Sequence, residues 1–154
     1  MAISLQEAVA RRTEIALEDF AAAVQRVPTE RLEWQPIGDA RPVLEIVQEC
    51  GRVNERWADM IASGEWIAWD AGKIEGIRSE TADIERAMAY LRASTAKYAA
   101  TVRALPDERL DVEFQAPWRS ATMAEWLCHA LWHLSYHEGQ INYIQTLYGD
   151  WSYG

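Results

Sequence analysis

The three histidines of the chain, His129, His133 and His137, are spaced four residues apart near its C-terminal end. Residues four apart lie one above the other on the same face of a helix. Two imidazoles at that spacing are a common bidentate arrangement for Zn²⁺ and similar ions. If this segment is helical, the spacing indicates either a divalent metal site or core histidines that hydrogen bond to tyrosine, glutamine or carbonyl groups.

A helical wheel of this segment separates the three histidines. His133 and His137 fall within the apolar stripe that faces a protein core, whereas His129 lies at the edge of that stripe. Because unpaired imidazoles in an apolar core are costly, the pair favours a metal site over two unrelated core histidines. Gln140, also on the inner side, is predicted to orient a ligand, with His129 as a further supporting residue. Gly139 is predicted to allow another helix to approach closely.

Two more polar residues interrupt the apolar stripes of other predicted helices. Glu49 lies at the border of one stripe, near the middle of its helix, where spacing alone favours a solvated surface glutamate. Arg12 lies flush with the stripe of the first helix, measured from Leu5, either as an extended surface side chain or as a counter-charge for a buried acid or an anionic substrate. Cys50 faces the core and is interpreted as a small hydrophobic residue.

These residues need long helices to position them, and the apolar periodicity predicts four. A loop is predicted over 65–80, and one domain over 1–154. The helices are predicted at 5–27, 42–62, 82–104 and 122–148. An internal echo, VPTERLE at 27–33 and LPDERLD at 105–111, follows the first and third helices. The echo favours two helical hairpins, one from the first two helices and one from the last two, packed as a four-helix bundle.

The composition restricts the partners of such a bundle. The 154 residues contain 24 acidic and 15 basic side chains, a net charge of −9. Nucleic acids and anionic membranes attract basic surfaces, so neither is expected as a main partner. No apolar run is long enough to cross a bilayer, and two cysteines do not make a disulfide framework. We therefore expect a cytoplasmic protein.

Two segments resemble a known family. HLSYHEGQ at 133–140 and ARPVLEIV at 40–47 are similar to motifs of the DinB/YfiT-like family, and the resemblance extends over essentially the whole chain. It implies an all-α, four-helix bundle with up-down-down-up connectivity, often dimeric. It also implies a divalent metal held by one residue of the second helix and two of the fourth, which correspond here to Glu49, His133 and His137. The family normally has histidine where this chain has Glu49.

The resemblance also implies a function. Characterised relatives include metal-dependent transferases that use low-molecular-weight thiols, so the expectation is a thiol transferase or a small-molecule hydrolase. Zn²⁺ or Ni²⁺ is expected first, with Fe²⁺ or Mn²⁺ as alternatives, and a low-molecular-weight thiol as a further cofactor. The alternative is a non-catalytic, dimeric, stress-related binding protein whose metal site is degenerate. A homodimer is expected to use exposed aromatic residues, namely Trp66, Trp69, Trp151 and Tyr153.

Overall fold

Four long helices dominate the computed structural model, which describes residues 2–152. The helices are α1 (Leu5–Gln25), α2 (Val43–Ser63), α3 (Ala71–Glu80), α4 (Ile84–Ala104), α5 (Met123–Trp126) and α6 (His129–Thr146), and the strands are β1 (Glu113–Ala116) and β2 (Arg119–Thr122). The long helices α1, α2, α4 and α6 form the bundle, so the predicted all-α, four-helix-bundle fold is confirmed.

The ends of the helices follow local sequence signals. The Ser4 hydroxyl accepts a hydrogen bond from the backbone N–H of Glu7 at the start of α1, and Asp83 caps α4 in the same way. Each side chain satisfies a backbone donor that has no partner within the helix. Gly64 ends α2 in the left-handed conformation, with φ of 75°, which glycine adopts without steric cost.

In the bundle, α1 lies diagonally opposite α2, and α4 lies diagonally opposite α6. Extensive contacts join α2 to α4, α1 to α4, α1 to α6 and α2 to α6, whereas α1 with α2 and α4 with α6 make marginal contacts at most. The predicted pairing of consecutive helices into hairpins is therefore wrong. The echoed segments do form equivalent 3₁₀ turns, Thr29–Arg31 and Asp107–Arg109. The connections that contain these turns cross the end of the bundle instead of making a tight turn between neighbours.

Contacts between the helices also define their directions. Helix α1 is antiparallel to α4, α2 is parallel to α4, and α2 is antiparallel to α6, so α1 is parallel to α6. The contacts that show these directions are Glu7 with Arg103 and Glu18 with Arg92, Glu55 with Tyr90 and Asp59 with Lys97, and Trp57 with His129 and Glu49 with His133. This arrangement is the up-down-down-up connectivity that the family resemblance implied.

Two segments differ from their predicted structure. The segment predicted as a loop over 65–80 contains α3, whose first turn is capped by the Asp70 carboxylate, 2.7 Å from the backbone nitrogen of Lys73. No residue of α3 is buried, so its apolar period is weak. The predicted helix 122–148 is interrupted after α5, and the antiparallel hairpin of β1 and β2 precedes it. Thr122 and Glu125 form a capping box that starts α5 directly after the hairpin.

The buried face of α1 differs from the predicted one. Arg12 is exposed, which agrees with the predicted extended surface side chain and not with a counter-charge for a buried acid. Leu5, from which the stripe was measured, is itself 43% exposed. The buried face is instead centred on Thr13, which is fully buried and lies about 100° around the helix from Arg12. Among the described residues, no helix is both long enough and apolar enough to cross a membrane.

Candidate metal centre

The middle of α6 brings two imidazoles together inside the bundle. His133 and His137 are 7% and 2% exposed. Their Nε2 atoms are 3.1 Å apart, and their rings meet edge to face with centroids 4.4 Å apart. The i, i+4 spacing on the buried face of α6 therefore directs the same nitrogen of both rings to one point.

Gln140 holds one of these rings from the next turn of the helix. Its Oε1 lies 2.7 Å from His137 Nδ1. An amide oxygen accepts, so Nδ1 carries the proton and the lone pair of Nε2 is directed toward His133. His133 Nδ1 is buried and has no hydrogen bond within the described residues, so the polar contacts of that ring are all at Nε2. The predicted orienting position of Gln140 agrees with this geometry.

Helix α2 supplies two donors opposite the imidazoles. The Cys50 Sγ atom and one nitrogen from each of His133 and His137 all lie within 4.8 Å of one another. Glu49 Oε1 lies 3.9 Å from His133 Nε2, and the other oxygen of Glu49 forms an ion pair with Arg41. The two α2 residues are adjacent in sequence, with Cys50 fully buried and Glu49 partly exposed at the border of the core.

Burial sets the protonation of these groups. Loss of solvation lowers the pKa of His133 to about 4, and the positive charges of Arg41 and Arg52 act in the same direction. Burial likewise lowers the pKa of His137 to about 4. Both imidazoles are therefore neutral at pH 7, which is the form that binds a metal ion. Burial raises the pKa of the Cys50 thiol, so that thiol keeps its proton unless a cation displaces it.

The donor set fits a divalent cation. Two neutral imidazoles and a thiol lie around one buried point, with the Glu49 carboxylate 3.9 Å from one of the imidazoles. Imidazole with thiolate or carboxylate is the chemistry by which proteins bind Zn²⁺ and its neighbours. Cys50 was interpreted from the sequence as a small hydrophobic residue. The available signal was its place on the inner stripe of α2, but a helical wheel does not show which residues of a facing helix lie opposite.

His129 belongs to a different environment, one turn earlier on α6. Its ring packs on Trp57 with centroids 4.4 Å apart and lies 6.2 Å from Trp126. Its centroid is 6.0 Å from that of His133, and no hydrogen bond joins the two rings. Arg12, the other predicted supporting residue, is exposed on α1. The structure thus brings together Glu49, His133, His137 and Gln140, but not Arg12, and it adds Cys50 and Arg41.

Comparisons with known proteins agree with this fold. Among solved structures, the chain is similar to YfiT from Bacillus subtilis, described as a probable metal-dependent hydrolase with an unusual four-helix bundle topology. The TM-score is 0.79 at 18% identity, covering 96% of this chain and 91% of that one. A conserved protein from Enterococcus faecalis gives a TM-score of 0.73 at 16% identity, covering 95% and 98% of the two chains.

A DinB-like protein from Bacillus subtilis, YjoA, gives a TM-score of 0.66 at 16% identity, with 93% of each chain covered. At these identities the likeness establishes the fold alone. No curated protein matches the sequence. The family model of the DinB superfamily matches residues 12–141, which is most of the chain, and the protein therefore belongs to the DinB superfamily.

Proposed function

We propose that this protein is a metal-dependent enzyme that acts on a small molecule, with a divalent cation held by His133, His137 and a donor from α2. The observation that supports this most directly is the convergence of the two histidine Nε2 atoms, 3.1 Å apart, opposite Cys50 and Glu49. Burying two imidazoles is costly unless their nitrogens have partners. At the facing Nε2 atoms, the described residues offer each ring only the other imidazole within hydrogen-bond distance, and a shared cation would satisfy both.

The donor from α2 determines which metal is favoured. A Cys50 thiolate with two imidazoles favours Zn²⁺ or Ni²⁺, whereas a Glu49 carboxylate with two imidazoles also suits Fe²⁺ or Mn²⁺. Glu49 carries an existing ion pair with Arg41, so binding a cation through this carboxylate requires sharing it with the guanidinium. Cys50 has no competing partner among the described charged groups, but it must lose its proton.

We propose hydrolysis as the first reaction to test and thiol transfer as the second. A bound cation with open positions would lower the pKa of a water or of a low-molecular-weight thiol, producing the nucleophile at neutral pH. The description of YfiT as a probable metal-dependent hydrolase favours hydrolysis, and the family resemblance favours thiol transfer. Adding thiols to a metal-loaded assay separates the two, because only the transfer reaction consumes them.

The residues of this chain have separate parts in either reaction. Gln140 fixes the tautomer of His137, so the Nε2 atom that faces the site carries a lone pair. Arg41 neutralises Glu49 where that carboxylate enters the core. The buried surroundings of His133 and His137 exclude water from the inner side of the site. A dry site with oriented donors strengthens electrostatic interactions with whatever binds there.

Metal titration tests this proposal. After chelation, the protein should take up Zn²⁺ or Ni²⁺ in calorimetry. His133→Ala and His137→Ala should each lower the affinity more than about 100-fold, because even changes outside the ligand set cost tenfold to 100-fold. His129→Ala is the matched control on the same helix and should stay within a few-fold of the parent. Loss of binding in His129→Ala with retention in His133→Ala would contradict the assignment.

Co²⁺ substitution identifies the α2 ligand. Thiolate ligation of Co²⁺ produces a charge-transfer band in the near ultraviolet that Cys50→Ser should abolish. If Glu49 is the ligand instead, the band is absent from the parent and Glu49→Ala weakens binding. Glu49→His should raise the affinity for Zn²⁺ or Ni²⁺, because imidazole is a stronger ligand for these ions than carboxylate.

The alternative is a non-catalytic binding protein with a degenerate site. The Arg41–Glu49 ion pair favours it, because the carboxylate already has a partner. A parent that binds no metal, together with a Glu49→His variant that binds well, would support this alternative and exclude the enzyme.

We also propose a cytoplasmic homodimer. Trp69 and Trp151 are 48% and 71% exposed, Trp66 is half-buried against Trp118, and Tyr153 lies outside the described residues. Light scattering should give about twice 17.6 kDa, and a monomer at tens of micromolar would contradict the dimer.

A further inference from the structure

A groove of about 510 Å³ opens beside the candidate metal centre, a size typical of small-molecule sites. It lies between α6 and the segment that leads into α2. Two of its lining side chains are direct partners of the candidate ligands. Arg41 forms the ion pair with Glu49, and Gln140 accepts the hydrogen bond from His137. A molecule in the groove would therefore lie one side chain away from the candidate ligands.

The walls of the groove suit a planar, apolar group. Tyr136 and Tyr143, on α6, both line it and are 50% and 66% exposed. They are two helical turns apart, about 10 Å along the axis. Between them lies Gly139, where a Cβ atom would meet nothing within 4 Å. The expectation that Gly139 allows another helix to approach is therefore wrong. No helix lies over Gly139, which instead forms the floor of the open groove.

One end of the groove carries a cation. Among the described residues that line it, Arg41 is the only positively charged one. The one ionic or hydrogen-bonding contact that the structure gives Arg41 is with Glu49 through Nη1, and a guanidinium has further N–H donors in a planar fork that matches a carboxylate. Asp39 also lines the groove, but it is exposed, so solvent screens its repulsion of an anion.

We propose that this groove binds the substrate and selects small carboxylates with a planar apolar group. The apolar group lies over Gly139 between Tyr136 and Tyr143, and the carboxylate binds Arg41. The inference rests on the proposed function only in naming the bound molecule a substrate, since the groove itself is formed by the chain without any metal.

The test uses 3-phenylpropionate as the probe, with the protein measured both Zn²⁺-loaded and after chelation. Propionate lacks the ring and 3-phenylpropanamide lacks the charge, so each removes one proposed contact. Gly139→Leu fills the floor of the groove. Gly76→Leu is the matched control, because Gly76 is also helical and open above its Cα but lies in α3, away from the groove.

Gly139→Leu should weaken 3-phenylpropionate binding at least about tenfold, whereas Gly76→Leu should leave it unchanged. Arg41→Gln should remove the preference for the carboxylate over the amide, and Asp39→Asn should slightly strengthen binding of the carboxylate. Equal binding by the parent and Gly139→Leu, or equal binding of propionate and 3-phenylpropionate, would overturn the inference.

Zn²⁺ uptake is measured on the same samples, which separates the two proposals. If the protein takes up metal but Gly139→Leu does not change probe binding, the proposed substrate groove is wrong and the proposed metal-dependent enzyme is still supported. Probe binding that is sensitive to Gly139→Leu, in a protein that takes up no metal, supports the groove and overturns the enzyme.

Discussion

The interface between α2 and α6 has two regions that use the same residue type differently. In the polar region, formed by Glu49, Cys50, His133 and His137, imidazole nitrogens meet each other and the donors of α2. In the aromatic region, formed by Trp57 and His129 together with Phe114 of β1 and Trp126 of α5, the imidazole packs as a flat ring against Trp57. The two regions are one helical turn apart along α6.

Neither the four-residue repeat nor the pKa distinguishes these histidines, although the helical wheel places His129 at the edge of the apolar stripe. All three follow the same four-residue repeat, and burial lowers the pKa of each to about 4. What differs is the residue that α2 places opposite, which is Trp57 for His129 and Cys50 or Glu49 for the other two. A lowered histidine pKa therefore indicates only burial in this protein. A candidate metal site is indicated by a donor side chain of α2 that faces the histidine.

The largest expected effect separates stability from metal binding. Trp57 is 2% exposed and stacks on Trp126 with centroids 5.0 Å apart. Trp57→Ala should lower the free energy of unfolding by about 3–5 kcal/mol, because it leaves a cavity in the aromatic region. Its affinity for Zn²⁺, measured on the folded fraction, should stay within a few-fold of the parent.

His137→Ala should show the opposite combination, with metal uptake lost and a smaller change in the urea midpoint. Trp57→Phe keeps an aromatic ring and provides a folded variant if Trp57→Ala does not fold. Loss of Zn²⁺ binding in Trp57→Phe would show that the two regions are one functional unit.

The next effect concerns pH and the metal-free protein. Because the folded-state pKa of each histidine is about 4 and the unfolded value is about 6.5, the unfolded chain takes up protons first as the pH falls. The free energy of unfolding should therefore be highest above pH 6.5 and decrease toward pH 4. Each histidine contributes at most about 1.4 kcal/mol per pH unit in that window.

Urea unfolding between pH 7 and pH 5 checks this, above the range where most carboxylates titrate. His129→Phe keeps the aromatic packing and should remove about one third of the pH dependence without loss of metal uptake. A His133→Gln, His137→Gln double variant should remove most of the remainder together with metal uptake. A stability that is flat between pH 7 and pH 5 in the parent would contradict buried, neutral histidines.

The sequence predicts the bundle and four of the six residues of the candidate site, and one physical reason explains both the success and the gap. Helical periodicity reports the buried face of a single helix, which is how His133 and His137 are distinguished from His129. It does not report what faces that surface, so Cys50 is read as a hydrophobic residue and the contact between Arg41 and Glu49 is missed. Arg12 is misplaced because the wheel is centred on Leu5, which lies in the first, exposed turn of α1.

The packing arrangement of the helices is harder to predict than the residues at which each helix begins and ends. The echo at 27–33 and 105–111 indicates equivalent turns, and these form. It does not show that each turn leads across the bundle diagonal, because this depends on which helix faces pack best. Helix α3 buries no residue, and β1 and β2 are only four residues long each, so the apolar pattern is weak in the helix and too short in the hairpin to predict these elements.

The smallest expected effect compares two helical glycines, one beside the polar region and one between α2 and α4. At Gly51 an added Cβ would lie 2.6 Å from the Tyr90 ring, whose hydroxyl donates to Glu55. Gly51→Ala should therefore lower the free energy of unfolding by about 1–3 kcal/mol, because the ring must move away from that hydrogen bond. The space at Gly139 is open.

Gly139→Ala should instead raise the free energy of unfolding by about 0.5–1 kcal/mol, because alanine loses less backbone entropy than glycine in a helix and meets no neighbour. Urea unfolding of the two variants and the parent shows whether each substitution raises or lowers the free energy of unfolding. Metal uptake should be unchanged in Gly139→Ala, since a methyl group leaves His137 and Gln140 in place. A destabilised Gly139→Ala variant would show that the floor of the groove is in contact with another part of the protein in solution, and the polar region would then be closed like the aromatic one.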